Sequence, residues 1–150
     1  YIKNKYNMLI GQKMAEDIKI AIGSAIPMKE EAEIDVKGRD LMTGLPRIIK
    51  LSSVEVREAM IKVLEQISDA IREAVEKTPP ELLADLLDRG ITLAGGGAQI
   101  YGLDKFLEDR INTPIIVAED PVTCVVRGTE ILLDEIDLLE RIQVSGEEII

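Results

Sequence analysis

The chain has 150 residues, 46% of them hydrophobic and 3% aromatic, with a net charge of −10 from 28 acidic and 18 basic side chains. That length and apolar content allow one compact domain or two small lobes, built on Ile, Leu, Val, Ala and Met, and argue against intrinsic disorder. The acidity argues against a nucleic-acid partner and against docking on anionic lipid, while the absence of histidine excludes His-based catalysis and His-ligated zinc.

Tyr1 to about Ile10 has apolar residues at Ile2, Tyr6, Leu9 and Ile10, a helical spacing that Gly11 breaks. A second helix is predicted from Gln12 to Ile22, with Met14, Ala15, Ile18, Ala21 and Ile22 on one face and a cap at Gly23-Ser24. A polar connection over 27–33 leads to two runs of period-two alternation, Ile34 to Leu41 and Leu45 to Leu51. With the turn Met42-Thr43-Gly44 between them, they predict a two-stranded antiparallel hairpin.

Ser52 with Glu55 fits a capping box, and Val56, Met60, Val63, Leu64, Ile67, Ile71, Ala74 and Val75 predict a buried stripe on a helix about six turns long. Thr78-Pro79-Pro80-Glu81 reads as the next helix start, with Thr78 as cap and Pro79 in the first position, and Arg89-Gly90 as its end. Then follow a buried strand at Ile91–Ala94, a glycine loop, a helix over Leu103–Ile111, a buried strand at Pro114–Ala118 and a last helix from Asp120-Pro121 to about Leu139. The two strands should pair in parallel through a right-handed crossover. The tail from Gln143 is expected to fray.

Cys124 alone can form neither an internal disulfide nor a Cys-based metal site, which fits a reducing cytoplasm. No apolar run approaches the ~20 residues of a membrane span, and there is no signal-peptide pattern. The first residue, Tyr1, already lies in a helical pattern, so the chain is expected to be the C-terminal part of something longer.

Two segments could carry chemistry. Ala94-Gly95-Gly96-Gly97-Ala98, between a strand and a helix, fits a backbone that passes close to a ligand or turns its N–H groups to an anion, and equally a plain tight turn. It matches neither the P-loop nor the dinucleotide fingerprint. Glu16 and Lys19, one turn apart, could reach a ribose hydroxyl and a purine edge, and such pairs are also common on solvated helix faces. Arg39, Arg47 and Lys50 on the hairpin and the acidic runs Lys29–Glu33 and Asp134–Glu140 read as ordinary surface charge.

In chain order, Ile10-Gly11-Gln12-Lys13-Met14-Ala15-Glu16-Asp17-Ile18-Lys19, Asp35-Val36-Lys37-Gly38-Arg39-Asp40-Leu41, Gly44-Leu45-Pro46-Arg47, Thr78-Pro79-Pro80-Glu81-Leu82 and Leu93-Ala94-Gly95-Gly96-Gly97-Ala98 resemble the C-terminal half of the MreB family of bacterial actin homologues. The resemblance implies an α/β fold, part of the second domain of the actin-like ATPase (ribonuclease H-like) fold. Residues 1–77 would form a helix-plus-hairpin outer subdomain, 78–140 the distal part of the base, and 141–150 a tail. It implies ATP held between two walls, Glu16, Asp17, Ile18 and Lys19 on one side and Gly95, Gly96, Gly97 and Ala98 on the other. The Mg²⁺, the phosphates and the catalytic carboxylates would be handled by segments upstream of Tyr1, so this piece alone would not hydrolyse ATP.

The same resemblance implies a rod-shape-determining cytoskeletal protein that is cytoplasmic and membrane-associated. It would stack head to tail into filaments, with the hairpin side as a candidate contact, and work with the cell-wall synthesis machinery. The base sheet would lack its first strands, leaving an exposed edge and a chain that is marginal or associates. Two other readings stand beside this one: the nucleotide domain of an Hsp70-type chaperone, and a helical interaction module that binds no nucleotide. A sugar or acid kinase would need a phosphoryl-acceptor pocket that no motif supplies.

Overall fold

The computed structural model describes residues 1–135. The elements are α1 (Ile2–Tyr6), β1 (Met8–Leu9), α2 (Gln12–Ile22), β2 (Glu33–Asp40), β3 (Pro46–Ser52), α3 (Ser53–Glu76), α4 (Pro80–Arg89), β4 (Ile91–Leu93), α5 (Leu103–Ile111), β5 (Ile115–Val117) and α6 (Cys124–Asp134). A 3-10 turn over Gly96–Gln99 lies between β4 and α5.

The first segment departs from the single helix expected to Ile10. Asn7 adopts φ 51°, a left-handed conformation that asparagine tolerates, and ends α1 there. The chain then enters β1, which pairs antiparallel with the end of β2, Met8 opposite Asp40 and Leu9 opposite Arg39. The hairpin is therefore a three-stranded sheet in the order β1-β2-β3. A two-residue strand is too short to show period-two alternation, so the helical spacing around it dominated the sequence pattern.

Within the hairpin, Ile34 faces Leu51 and Val36 faces Ile49 across the register. Val36, Ile49 and Leu51 are buried while the intervening Asp35, Lys37 and Lys50 are exposed, as the alternation requires. The Asp40 carboxylate accepts the N–H groups of Met42 at 2.8 Å and Thr43 at 3.0 Å, which fixes the turn.

Ser52 and Glu55 form the complete capping box that opens α3. This helix joins two cores. Val56 packs with Met8, Ile18, Ile22, Val36, Ile49 and Leu51, while Leu64 packs with Ala25, Leu103, Phe106, Leu107 and Ile115, and Met60 touches both groups. At its far end the Thr78 hydroxyl donates to the Ala74 carbonyl at 2.9 Å. Used backwards in this way, Thr78 does not cap α4, whose cap is Pro79 with Pro80 in the first helical position, one residue later than expected.

β4 and β5 pair in parallel, Ile91 opposite Ile115 and Leu93 opposite Val117, and α5 lies between them in sequence and packs in the second core through Leu103, Phe106 and Leu107. These strands are less covered than expected. Ile115 is buried, but Ile116 is 50% and Val117 38% exposed. Parallel strands are ordinarily covered on both faces; among the described residues this pair has an open face and no further strand on either edge. α6 starts at Cys124 rather than at Asp120-Pro121, because Asp120 sits at φ 49° and its carboxylate accepts the Thr123 hydroxyl at 2.6 Å in a separate turn. The expected run to Leu139 and the 141–150 tail lie outside the described residues. No described helix is long and apolar enough to cross a membrane.

Candidate functional site

α2 places its residues by amphipathicity. Ile18 and Ile22 are buried in the first core, which turns Glu16, Lys19 and Ile20 outward. The helix closes where the Gly23 N–H donates to the Lys19 carbonyl at 2.9 Å, and Gly23 is extended, with φ −71°, not left-handed.

The glycine segment is built differently at each position. Gly95 has φ 84°, a conformation that any Cβ would strain, and its N–H donates to the Pro121 carbonyl at 2.6 Å. The 3-10 turn then begins, and the Ala98 N–H returns to the Gly95 carbonyl at 3.1 Å. As the first residues of that turn, Gly96 and Gly97 have N–H groups with no partner inside it. Among the described residues, a Cβ built on either would meet nothing within 4 Å.

The two segments meet. A cavity of about 170 Å³ is lined by Lys19, Ile20 and Gly23 from the end of α2 and by Gly96, Gln99 and Ile100 from the glycine turn. One ammonium, one side-chain amide, two aliphatic side chains and bare backbone suit a flat, partly polar ring, as expected for a cleft of mixed lining. The volume matches one ring system rather than a whole nucleotide.

Of the eight residues expected at a site, Lys19 and Gly96 line this cavity directly. Gly95 holds the base of the turn and Ala98 is buried beneath it. Gly97 and Glu16 are exposed outside the lining. Asp17 is engaged with Lys13 at 2.9 Å. Ile18 is buried in the first core and borders the larger apolar cavity between α1, α2 and α3 rather than this one. Ile20, Gly23, Gln99 and Ile100 were not foreseen as site residues. Ile20 carried a signal, since it is an apolar residue on the polar face of α2 and is 72% exposed; Gln99 and Ile100 carried none.

A larger apolar cavity of about 420 Å³ lies between α1, α2 and α3, lined among others by Ile2, Ile10, Ile18, Val56 and Met60, and Lys19 borders both spaces. Arg39 and Arg47 serve the hairpin itself, through the Gly44 carbonyl at 3.1 Å and the Asp40 carboxylate at 3.0 Å. No group of three or more His, Cys, Asp or Glu among the described residues could hold a metal ion.

The family model described as MreB/Mbl protein matches residues 1–141. This chain belongs to the MreB/Mbl family. It is 44% identical over 145 residues to the cell shape-determining protein Mbl of Bacillus subtilis, covering 97% of this chain and 44% of that protein. It is 46% identical over 138 residues to the cell shape-determining protein MreB of Escherichia coli, covering 92% and 40%. The chain thus spans less than half the length of these curated relatives.

Among solved structures, MreB5 of Spiroplasma citri bound to ADP superposes with a TM-score of 0.88 at 40% identity, covering 95% of this chain and 43% of that one. A second crystal structure of the same protein is bound to AMPPNP. The MamK double helical filament, at 21% identity and a TM-score of 0.71, shows the shared fold. The MreB/Mbl chain therefore has the α/β, actin-like fold expected. The chaperone and kinase readings find no support in these matches.

Proposed function

We propose that this chain supplies the adenosine side of the ATP cleft in a filament-forming, rod-shape-determining bacterial actin-like protein. The observation that carries the proposal is the sharing of one small cavity by Lys19 of α2 and Gly96 of the glycine turn. Support comes from MreB5, a relative of the same fold whose structures hold ADP and AMPPNP.

The residues fit a purine nucleoside. Lys19 would donate to the purine edge or a ribose hydroxyl, and Glu16, one turn back, would accept from the ribose. Gly96 and Gly97 would let the backbone close over the ring, since no side chain fills that space. Ile20 and Ile100 would flank it with aliphatic surface, and Gln99 would add one amide. Asp17 would stay paired with Lys13 along the exposed face of α2.

ATP is the proposed cofactor, with Mg²⁺ and the phosphates gripped by other parts of the whole protein. Phosphoryl transfer depends on positioning those groups, so residues 1–150 would bind adenosine without hydrolysing ATP. In the whole protein, residues 1–77 would serve as the outer subdomain and 78–140 as part of the base. Copies would stack head to tail into filaments in the cytoplasm at the membrane, where the cell-wall synthesis machinery would attach. Closure of the cleft on ATP would favour the polymerising conformation.

The test is co-sedimentation of the full-length protein with and without ATP, alongside titration with a fluorescent ATP analogue. Binding together with ATP-dependent pelleting supports the proposal. Absence of any binding would leave the nucleotide-free interaction module as the better reading.

A further inference from the structure

We infer that Arg57 is a positioning residue for the proposed nucleotide cavity, acting through Ser24 and never touching the ligand; the inference rests on the nucleotide reading of that cavity. Arg57 stands on the second turn of α3 with its side chain only 15% exposed. Its guanidinium divides among three acceptors: Nη1 donates to the Ser24 hydroxyl at 2.8 Å and the Ile26 carbonyl at 3.0 Å, and Nη2 donates to Glu31 Oε1 at 2.7 Å. A planar fork fixes three groups at once in a way a flexible ammonium does not.

The acceptors are themselves held. Ser24 is fully buried. The other Glu31 oxygen accepts the hydroxyl of fully buried Ser53, and that hydroxyl accepts the Ala32 N–H at 3.0 Å. The Arg57 guanidinium first, then the Ser53 hydroxyl, lower the Glu31 carboxyl to about 2, so it stays ionised as a partner. Arg57, Glu31 and Ser53 thus tie the connection after α2 to the first turns of α3.

The far side of that connection reaches the cavity. Ser24 pairs with Tyr101 as an isolated parallel bridge, and the Ala25 N–H donates to the Tyr101 carbonyl at 2.8 Å. Ile26 lies against Gly102 so closely that a Cβ there would stand 2.3 Å from Ile26 Cγ1. Gly23 and Ile100, the chain neighbours of the bridged pair, both line the cavity. The spacing between its two walls is therefore set where Ser24 meets Tyr101, and Arg57 holds the Ser24 side of that junction.

The test is equilibrium titration of the full-length protein with a fluorescent ADP analogue, with melting and amide exchange on the same samples. Arg57→Lys should weaken binding about tenfold, and Ser24→Ala about threefold, the scale of one or two hydrogen bonds. Both should speed exchange of the Ala25 amide. Thr78→Ala, which removes a hydrogen bond at the far end of α3, should lower Tm and bind as wild type. If Arg57→Lys does not fold, Ser24→Ala carries the same test alone. Binding by both junction variants that equals wild type or Thr78→Ala overturns the inference. Should Gly96→Val abolish binding while the junction variants bind normally, only the role of Arg57 falls; a wild type that binds no nucleotide overturns the cavity reading and this inference together.

Discussion

The Gly95 N–H donates to the Pro121 carbonyl at 2.6 Å, tying the base of the glycine turn to the loop that precedes α6. With Gly95 held at φ 84°, Gly96 beside it presents backbone to the cavity. Strain and access are thereby separated onto neighbouring glycines.

Substitutions at those neighbours should behave oppositely. Gly96 has open space at its Cβ and no left-handed φ, so Gly96→Val should leave Tm within a few degrees of wild type and abolish binding of a fluorescent ATP analogue. Gly95→Ala should destabilise by about 1 kcal/mol, because alanine resists its φ. Denaturant unfolding and nucleotide titration on the same two proteins check both outcomes.

Lys19 borders the cavity with an exposed ammonium. Lys19→Ala should weaken nucleotide binding by about 1–2 kcal/mol, the worth of one charge-assisted hydrogen bond, without changing Tm. Isothermal titration measures it. An unchanged affinity would remove α2 from the binding surface.

Two buried positions should respond with opposite signs. Leu107 is fully buried in the second core, and Leu107→Ala should lose about 2–5 kcal/mol in urea unfolding. Ser68 is also buried, on α3, with a hydroxyl that finds no partner among the described residues. Ser68→Ala should be neutral or stabilise by up to about 1 kcal/mol. A clear loss at Ser68 would reveal an acceptor for that hydroxyl.

Acid should destabilise the fold through two carboxylates. Burial pushes Glu55 up, but hydrogen bonds from Tyr6, the Ser52 backbone, Lys5 and the Ser52 hydroxyl outweigh it and lower its carboxyl to about 2. Glu31 is lowered to about 2 by Arg57 and Ser53. Each binds its proton more readily in the unfolded chain, so the stability they contribute is present above the ordinary carboxylate value of about 4.5 and lost as pH falls from there towards 2. Unfolding free energies at pH 7, 5 and 3 should drop mainly over the last interval, and Glu31→Gln with Glu55→Gln should flatten that drop.

Local chemistry made much of the fold legible. The Ser52–Glu55 capping box and the alternation of Val36, Ile49 and Leu51 each express a short-range rule and appear in the structure as read, while the α3 stripe holds at Val56, Met60, Leu64 and Ile71 but leaves Val63 and Ile67 exposed. What escaped depends on partners distant in sequence. β1 exists because Met8 and Leu9 find Asp40 and Arg39; Thr78, by contrast, lies between two helices that could each use its hydroxyl, and it bonds Ala74 four residues back. For the site, the segments at Lys19 and Gly96 stood out by composition. Gln99 and Ile100 enter the cavity only through the Ser24–Tyr101 junction, which no local pattern announces.

The proposed function requires adenosine to lie between the end of α2 and the glycine turn. Photolabelling of the full-length protein with 8-azido-ATP, followed by peptide mapping, tests that placement most directly. Label recovered on peptides containing Lys19–Gly23 and Gly96–Ile100, and suppressed by excess ATP, is the predicted result. Suppressible label on neither peptide would contradict it.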